Sequence, residues 1–436
     1  MTTKRVTIAV VSMAAVLAGL GASTTASAVP ASERVSSVAR VAPDNDGAGE
    51  RGTQARPRFR MKPGVSFNVP RSQEINSKVL RAIRHTNKRG KIRVMTWNYN
   101  SWVFVKALRQ AHNRGASVRI IMARTLANQQ GPNGPFAVTR RALAKGNAGR
   151  KPEYRSWFRT CSHSCRGKGG AMHSKIYLFS KAGASEQIVM SSSANMTGSA
   201  AANQYNDMYT IVGRAKPYKV SIKMFNEAAK DRPARFRSYQ DGAIMGWFAP
   251  FNGHPDIPLQ MLNRVKCRGA KGAGINGRTS IRIAQDVFNG DRGARIARRI
   301  KELHRRGCNI RLVYSQLVGA SRGILAGVPK NHLVADRDGD GAYDIYLHMK
   351  AMSISGNYHG DRGARIVFNG SANWSGIALI ADENGLVIRR DGVERRYGRQ
   401  INKLFGIHLK SVPLNPELQE KVERGLVIDP YRNMEG

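Results

Sequence analysis

The sequence predicts an α/β fold built of two duplicated halves, with mainly parallel sheets and one shared active site. Three observations carry this. The chain has 436 residues, 41% of them hydrophobic, enough for two cores of ordinary size and too apolar for a wholly disordered chain. A strand–helix–strand pattern occurs twice, with matching residues 189 to 192 positions apart. A His-x-Lys motif followed by Ser-Ala-Asn also occurs twice.

At the amino end, Lys4 and Arg5 precede an apolar stretch from Val6 to Leu20, and Ala26-Ser27-Ala28 follows as a small-residue cleavage site. This is the pattern of an export signal over residues 1–28. The apolar run is too short for an anchor, and no later stretch approaches the roughly 20 residues of a spanning helix. The protein is therefore expected to be secreted. Residues 29–62, rich in Ala, Ser, Arg, Gly and Pro without apolar periodicity, read as a flexible leader. The two halves are then expected at 63–240 and 241–436. In an oxidising compartment the four cysteines form two disulfides, with three pairings open. Proximity favours Cys161–Cys165 and Cys267–Cys308. His163 between the first two has too few neighbours of ligand type for a metal site.

Ile92-Arg93-Val94 matches Ile281-Arg282-Ile283, and His112-Asn113-Arg114-Gly115 matches His304-Arg305-Arg306-Gly307. Short β-rich runs (92–97; 281–284) precede helical patterns (102–113; 292–305), in which Val105, Leu108 and His112, then Ile296, Ile300 and Leu303, recur at helical spacing. Gly115 and Gly307 stand where a helix ends. Alternating runs at 117–122 and 309–313 complete each unit. His112 and His304, at helix ends beside glycine, are read as packing residues.

The chemistry lies in the second repeat. His173-Ser174-Lys175 is followed by Ser192-Ser193-Ala194-Asn195, and His348-Met349-Lys350 by Gly370-Ser371-Ala372-Asn373. A His and a Lys two apart on a strand point to one face. Imidazole, ammonium and amide together suit a phosphate, the imidazole for nucleophile or proton work and the others for oxyanion charge.

These residues resemble the phospholipase D superfamily, whose H-x-K-x4-D motif precedes a G-S-x-N segment; the resemblance covers about residues 64–410. It implies two α/β/α sandwich halves meeting at one site. It also implies a phosphohistidine on His173, with His348 as acid and then base, and oxyanion contacts from Lys175, Lys350, Asn195 and Asn373. It requires no cofactor, since two lysines supply the charge of a divalent ion. Carboxylates after the Asn, here Asp207 and Glu383, would each hold a histidine. Ser193, Ser371 and Trp374 would line the substrate pocket, and Trp97, Tyr99 and Trp102 lie near a strand end where they would wall a cleft. The motif's acid is replaced by Ser180 and Ser355.

Asp336, Asp338, Asp340 and Asp344 fall at positions 1, 3, 5 and 9 of a loop with Gly341 at 6, the start of a calcium loop. Leu347 at position 12 favours an acidic turn instead, with structural calcium as the alternative.

Partners follow from charge: 71 Lys and Arg against 29 Asp and Glu give +42 and attraction to polyanions. The leading expectation is a secreted, monomeric phospholipase D acting on glycerophospholipids at a membrane surface, with no obligate protein partner. A metal-independent nuclease on DNA or RNA is the alternative, and a non-catalytic binder of anionic surfaces the third.

Overall fold

The computed structural model describes residues 58–251, 253–432 and 434. The expected export signal and residues 29–57 of the expected leader lie outside these. The last residues of that leader do not behave as one. Phe59 stacks on His85 at 4.2 Å, and buried Met61 donates its N–H to Ser185 Oγ. Phe59 thus packs on the residue that caps the helix Glu74–Arg84.

Each half is built on a mixed nine-stranded sheet. In the first, Lys91–Thr96, Ser117–Ala123 and Trp157–Cys161 are parallel, while Ile176–Ala182, Ser185–Ser192 and Gln204–Ile211 continue the sheet antiparallel. In the second, Ser280–Asn289, Asn309–Leu317 and Lys330–His332 are parallel, and Lys350–Tyr358, Asp361–Gly370 and Asn384–Ile388 continue it antiparallel. The parallel part needs helical crossovers, and Trp102–Asn113 and Gly290–Arg305 supply them. Gly115 (φ 95°) and Gly307 (φ 87°) end those two helices in the left-handed region that only glycine enters cheaply. The strand Ser280–Asn289 runs five residues beyond the expected end at Ala284.

The halves are stitched crosswise. Ile345–Leu347, just before His348, pairs parallel with Gln204–Ile211 of the first sheet. Met172, just before His173, bridges to Asp382 of the second half. Each histidine thus starts from the edge of the other half's sheet. Both cysteine pairs form as expected, Cys161–Cys165 and Cys267–Cys308. The first closes a loop whose Cys165 and Arg166 amides donate to the Asp382 carboxylate, one residue before Glu383. No described helix is long and apolar enough to cross a membrane.

Candidate active site

His173 and His348 enter from opposite halves, and the crosswise pairing decides what stands behind each ring. The His173 N–H donates to Asp382 O, which sets the ring beside Glu383. The His348 N–H donates to Tyr205 O, which sets that ring beside Asn206. Glu383 Oε1 accepts the His173 Nδ1–H at 2.9 Å, and Asn206 Oδ1 accepts the His348 Nδ1–H at 2.9 Å. A carboxylate or amide oxygen can only accept, so each ring carries a proton on Nδ1 and turns Nε2 into the site as its reactive atom. His173 Nε2 is buried and has no hydrogen-bond partner among the described residues.

The pattern departs from the expectation for Asp207. That residue lies one position beyond Asn206 on a strand, so its side chain points to the opposite face. There its carboxylate accepts from Tyr397 OH (2.6 Å) and Asn369 Nδ2 (3.0 Å), bracing the two sheets. Its counterpart across the molecule is Asn384, which donates to Ser191 Oγ and accepts the Lys175 N–H. The first half reads Asn-Asp where the second reads Glu-Asn, so one histidine is backed by a carboxylate and the other by an amide.

Ser193 and Ser371 are not pocket walls. Their hydroxyls donate to Asn206 Oδ1 (2.7 Å) and Glu383 Oε2 respectively, fixing the groups that fix the imidazoles. The Asn206 amide is oriented further by Nδ2 donating to Gln204 Oε1 at 2.9 Å. Trp374 is also no wall: it is fully buried and packs edge-on against Phe288, because Trp374–Ser375 adds to the end of the strand Ser280–Asn289. Tyr99 is likewise core, bonded to Thr139 Oγ1.

Lys175 Nζ donates to His173 O at 2.9 Å and Lys350 Nζ to His348 O at 2.8 Å, so each motif closes on itself in the same way. Lys350 also forms a fully buried pair with Asp286 at 2.9 Å, a partner the sequence reading missed. The position matching Asp286 in the first half is Trp97, whose ring meets His173 edge-on at 5.5 Å. Burial lowers the Lys350 pKa and raises that of Asp286; Glu383 and Asp207 add further negative potential at Lys350. Burial pushes the His173 ring down to about 4; Glu383 opposes this, and Lys175 and Lys350 add to it. The cross-talk of Lys350 with His173 and of Lys175 with Asp286 places both motifs in one electrostatic site.

Asn373 joins Trp97, His173, Glu383, Ile377 and Ala381 around a cavity of about 90 Å³. Its carbonyl is held by Arg292, itself anchored by a twofold contact with Asp256. Its Oδ1 is buried without a partner among the described residues. Asn195 Oδ1 accepts the Asn98 N–H at 3.3 Å on the other side. Ser180 and Ser355, in place of the motif acid, lie along the strands away from this cluster. Ser180 Oγ accepts the Lys91 N–H, and Ser355 Oγ the Gly274 N–H.

The aspartate loop brings ligand atoms of Asp336, Asp338 and Asp340 within 4.8 Å of one another. Both Asp336 oxygens already accept backbone N–H groups, Asp344 accepts the Arg337 N–H, and Arg432 pairs with Asp340 at 3.1 Å. These contacts make it a clasp for the carboxyl-terminal segment, and structural calcium is not shown.

Residues 79–228 match the family described as cardiolipin synthase, PLD-like domain. No curated protein matches the chain. Among solved structures, phosphatidylserine synthase from Haemophilus influenzae Rd KW20 is similar over 83% of this chain and 92% of its own, at 13% identity and TM-score 0.55. Polyphosphate kinase from Porphyromonas gingivalis is similar over 84% of this chain, at 14% identity and TM-score 0.50. This chain spans only 55% of that kinase. Nuc from Salmonella typhimurium, a phospholipase D family member, aligns with 39% of this chain and 96% of its own, at 18% identity and TM-score 0.31. Residues 79–228 thus form a PLD-like domain, and the second half repeats its strands and its His-x-Lys motif.

Proposed function

We propose that the protein is a secreted phosphodiesterase that hydrolyses the head-group bond of glycerophospholipids through a phosphohistidine on His173. The observation that carries the assignment is the Glu383–His173 contact at the wall of the cavity. At neutral pH His173 is uncharged, with its Nε2 lone pair available, and the Glu383 carboxylate on Nδ1 partly offsets the lowering by burial. In the first step the Nε2–P bond forms and the P–O bond to the head group breaks, the departing oxygen taking the Nε2 proton of His348, which enters as the imidazolium and leaves as the neutral base of the next step. In the second, His348 removes a proton from water, which attacks phosphorus and releases His173. The ammonium groups of Lys175 and Lys350 and the amides of Asn195 and Asn373 carry the non-bridging oxygens.

The lipid reading is supported by the cavity's walls. Trp97, Ala171, Ile377, Ala378 and Ala381 are apolar, and a strand of nucleic acid would be better served by cations there. The name of the matched family points the same way. A nuclease is the second reading, favoured by the charge of +42. The test offers phosphatidylcholine, phosphatidylglycerol and plasmid DNA with metal chelated, to wild type and His348→Ala. Head-group release that survives chelation and is lost in the variant is expected; cleavage confined to DNA would establish the nuclease.

A further inference from the structure

The phosphorus of a bilayer lipid has to reach imidazoles that are almost wholly buried, His173 at 6% and His348 at 0% exposure. Before residue 400, the four most exposed large apolar side chains among the described residues are Ile377 (59%), Trp102 (58%), Val103 (54%) and Ile380 (49%). The two isoleucines stand at the cleft in the second half, and Trp102 and Val103 lie within a short chain reach of it in the first. Ile377 lines the His173 cavity, and Ile380 stands one residue before Ala381, which lines it too. Trp102 and Val103 open the helix that starts four residues after Asn98, whose N–H is bound by Asn195. Four residues span at most about 14 Å.

Cations sit directly behind these tips. Lys106 and Arg109 share a groove with Trp102, one and two turns along the helix, and no acid lines that groove. On the other side, exposed Lys168 lies in a glycine-rich loop whose Gly169 faces the tip of Ile380. Apolar tips with a basic collar are what an interfacial protein presents to anionic lipid: the tips enter the acyl boundary and the ammonium and guanidinium groups meet the phosphates.

We propose that Trp102, Val103, Ile377 and Ile380 form a docking rim that seats the cleft on an anionic phospholipid bilayer, with Lys106, Arg109 and Lys168 bound to its head groups. This deepens the lipid reading above and rests on it. The rim places a head group over the cavity rather than leaving the lipid to climb out of the bilayer alone.

The experiment measures binding to phosphatidylglycerol–phosphatidylcholine vesicles by co-sedimentation, using His173→Ala so that lipid is not consumed, with and without Val103→Ser and Ile380→Ser. The double substitution is expected to weaken vesicle binding about tenfold or more, as loss of two partly inserted apolar groups requires. In an otherwise wild-type chain the same pair should leave turnover of the soluble diester bis(p-nitrophenyl) phosphate unchanged, which excludes misfolding. Unaltered vesicle affinity in the double variant overturns the rim, as does a chain that binds DNA and not vesicles. The two proposals fail separately. Rim-dependent vesicle binding without head-group release by wild type refutes the lipid reading and keeps the rim. Hydrolysis of a dispersed short-chain phosphatidylglycerol with rim-independent vesicle binding does the reverse.

Discussion

Glu383 of the second half accepts the Nδ1–H of His173 of the first, and Asn206 stands in the matching place behind His348. One carboxylate thus serves a site with two imidazoles. A phosphorylated imidazole that keeps its Nδ1 proton is a cation, and it needs the negative neighbour more than a ring that only shuttles a proton. The asymmetry supports the proposed covalent step on His173 over one on His348.

Glu383→Gln keeps the acceptor and removes the charge. Glu383 raises the His173 proton affinity against burial, so its loss lowers that affinity further. Activity needs neutral His173 and is lost as pH falls through about 4; in the variant this acid limb moves to lower pH. The plateau rate should fall by about 100-fold, the scale of a lost general-base contribution. A pH profile of kcat/KM measures both.

Asn206 is a positioning residue, acting through His348. Asn206→Ala leaves the ring without its acceptor and frees Ser193. Water activation should slow more than head-group release, so phosphoenzyme accumulates and a burst appears, with KM little changed. Asn206→Asp, which keeps an acceptor oxygen, should remove the burst.

Asp286→Ala leaves the Lys350 ammonium buried beside a lost partner. Removing one member of a buried pair costs about 3–5 kcal/mol. Guanidinium unfolding should show that loss, and the variant should also fail to turn over substrate, since Lys350 is proposed to carry a non-bridging oxygen.

The two serines in place of the motif acid give the opposite expectation. Ser180 and Ser355 accept backbone N–H groups away from the imidazoles. Ser180→Asp and Ser355→Asp should leave turnover unchanged, measured with the same soluble diester.

The halves and the His-x-Lys pairs were legible because both are local patterns: a helical period with a glycine stop, and two residues on one strand face. What stands behind the rings was not. Asp207 was expected there, but one step along a strand reverses the face, and Asn206 took the place. Asp286 was missed because apolar alternation stops at Ala284, whereas the strand continues through Asn289 between two neighbours that bury it. Trp374 was read as a wall because its direction depends on a pairing with Phe288 that no spacing reveals. The apolar end of the leader folds for a similar reason, since Ser185, which binds Met61, lies 124 residues away.

The central claim is that two motifs from two halves act on one phosphorus atom, with His173 as its carrier. Acid-quenched single turnover on a lipid carrying labelled phosphate, followed by peptide mapping, tests it most directly. Label on His173 in wild type, persisting in His348→Ala and absent in His173→Ala, is the predicted result. Label on His348 with none on His173 would contradict it.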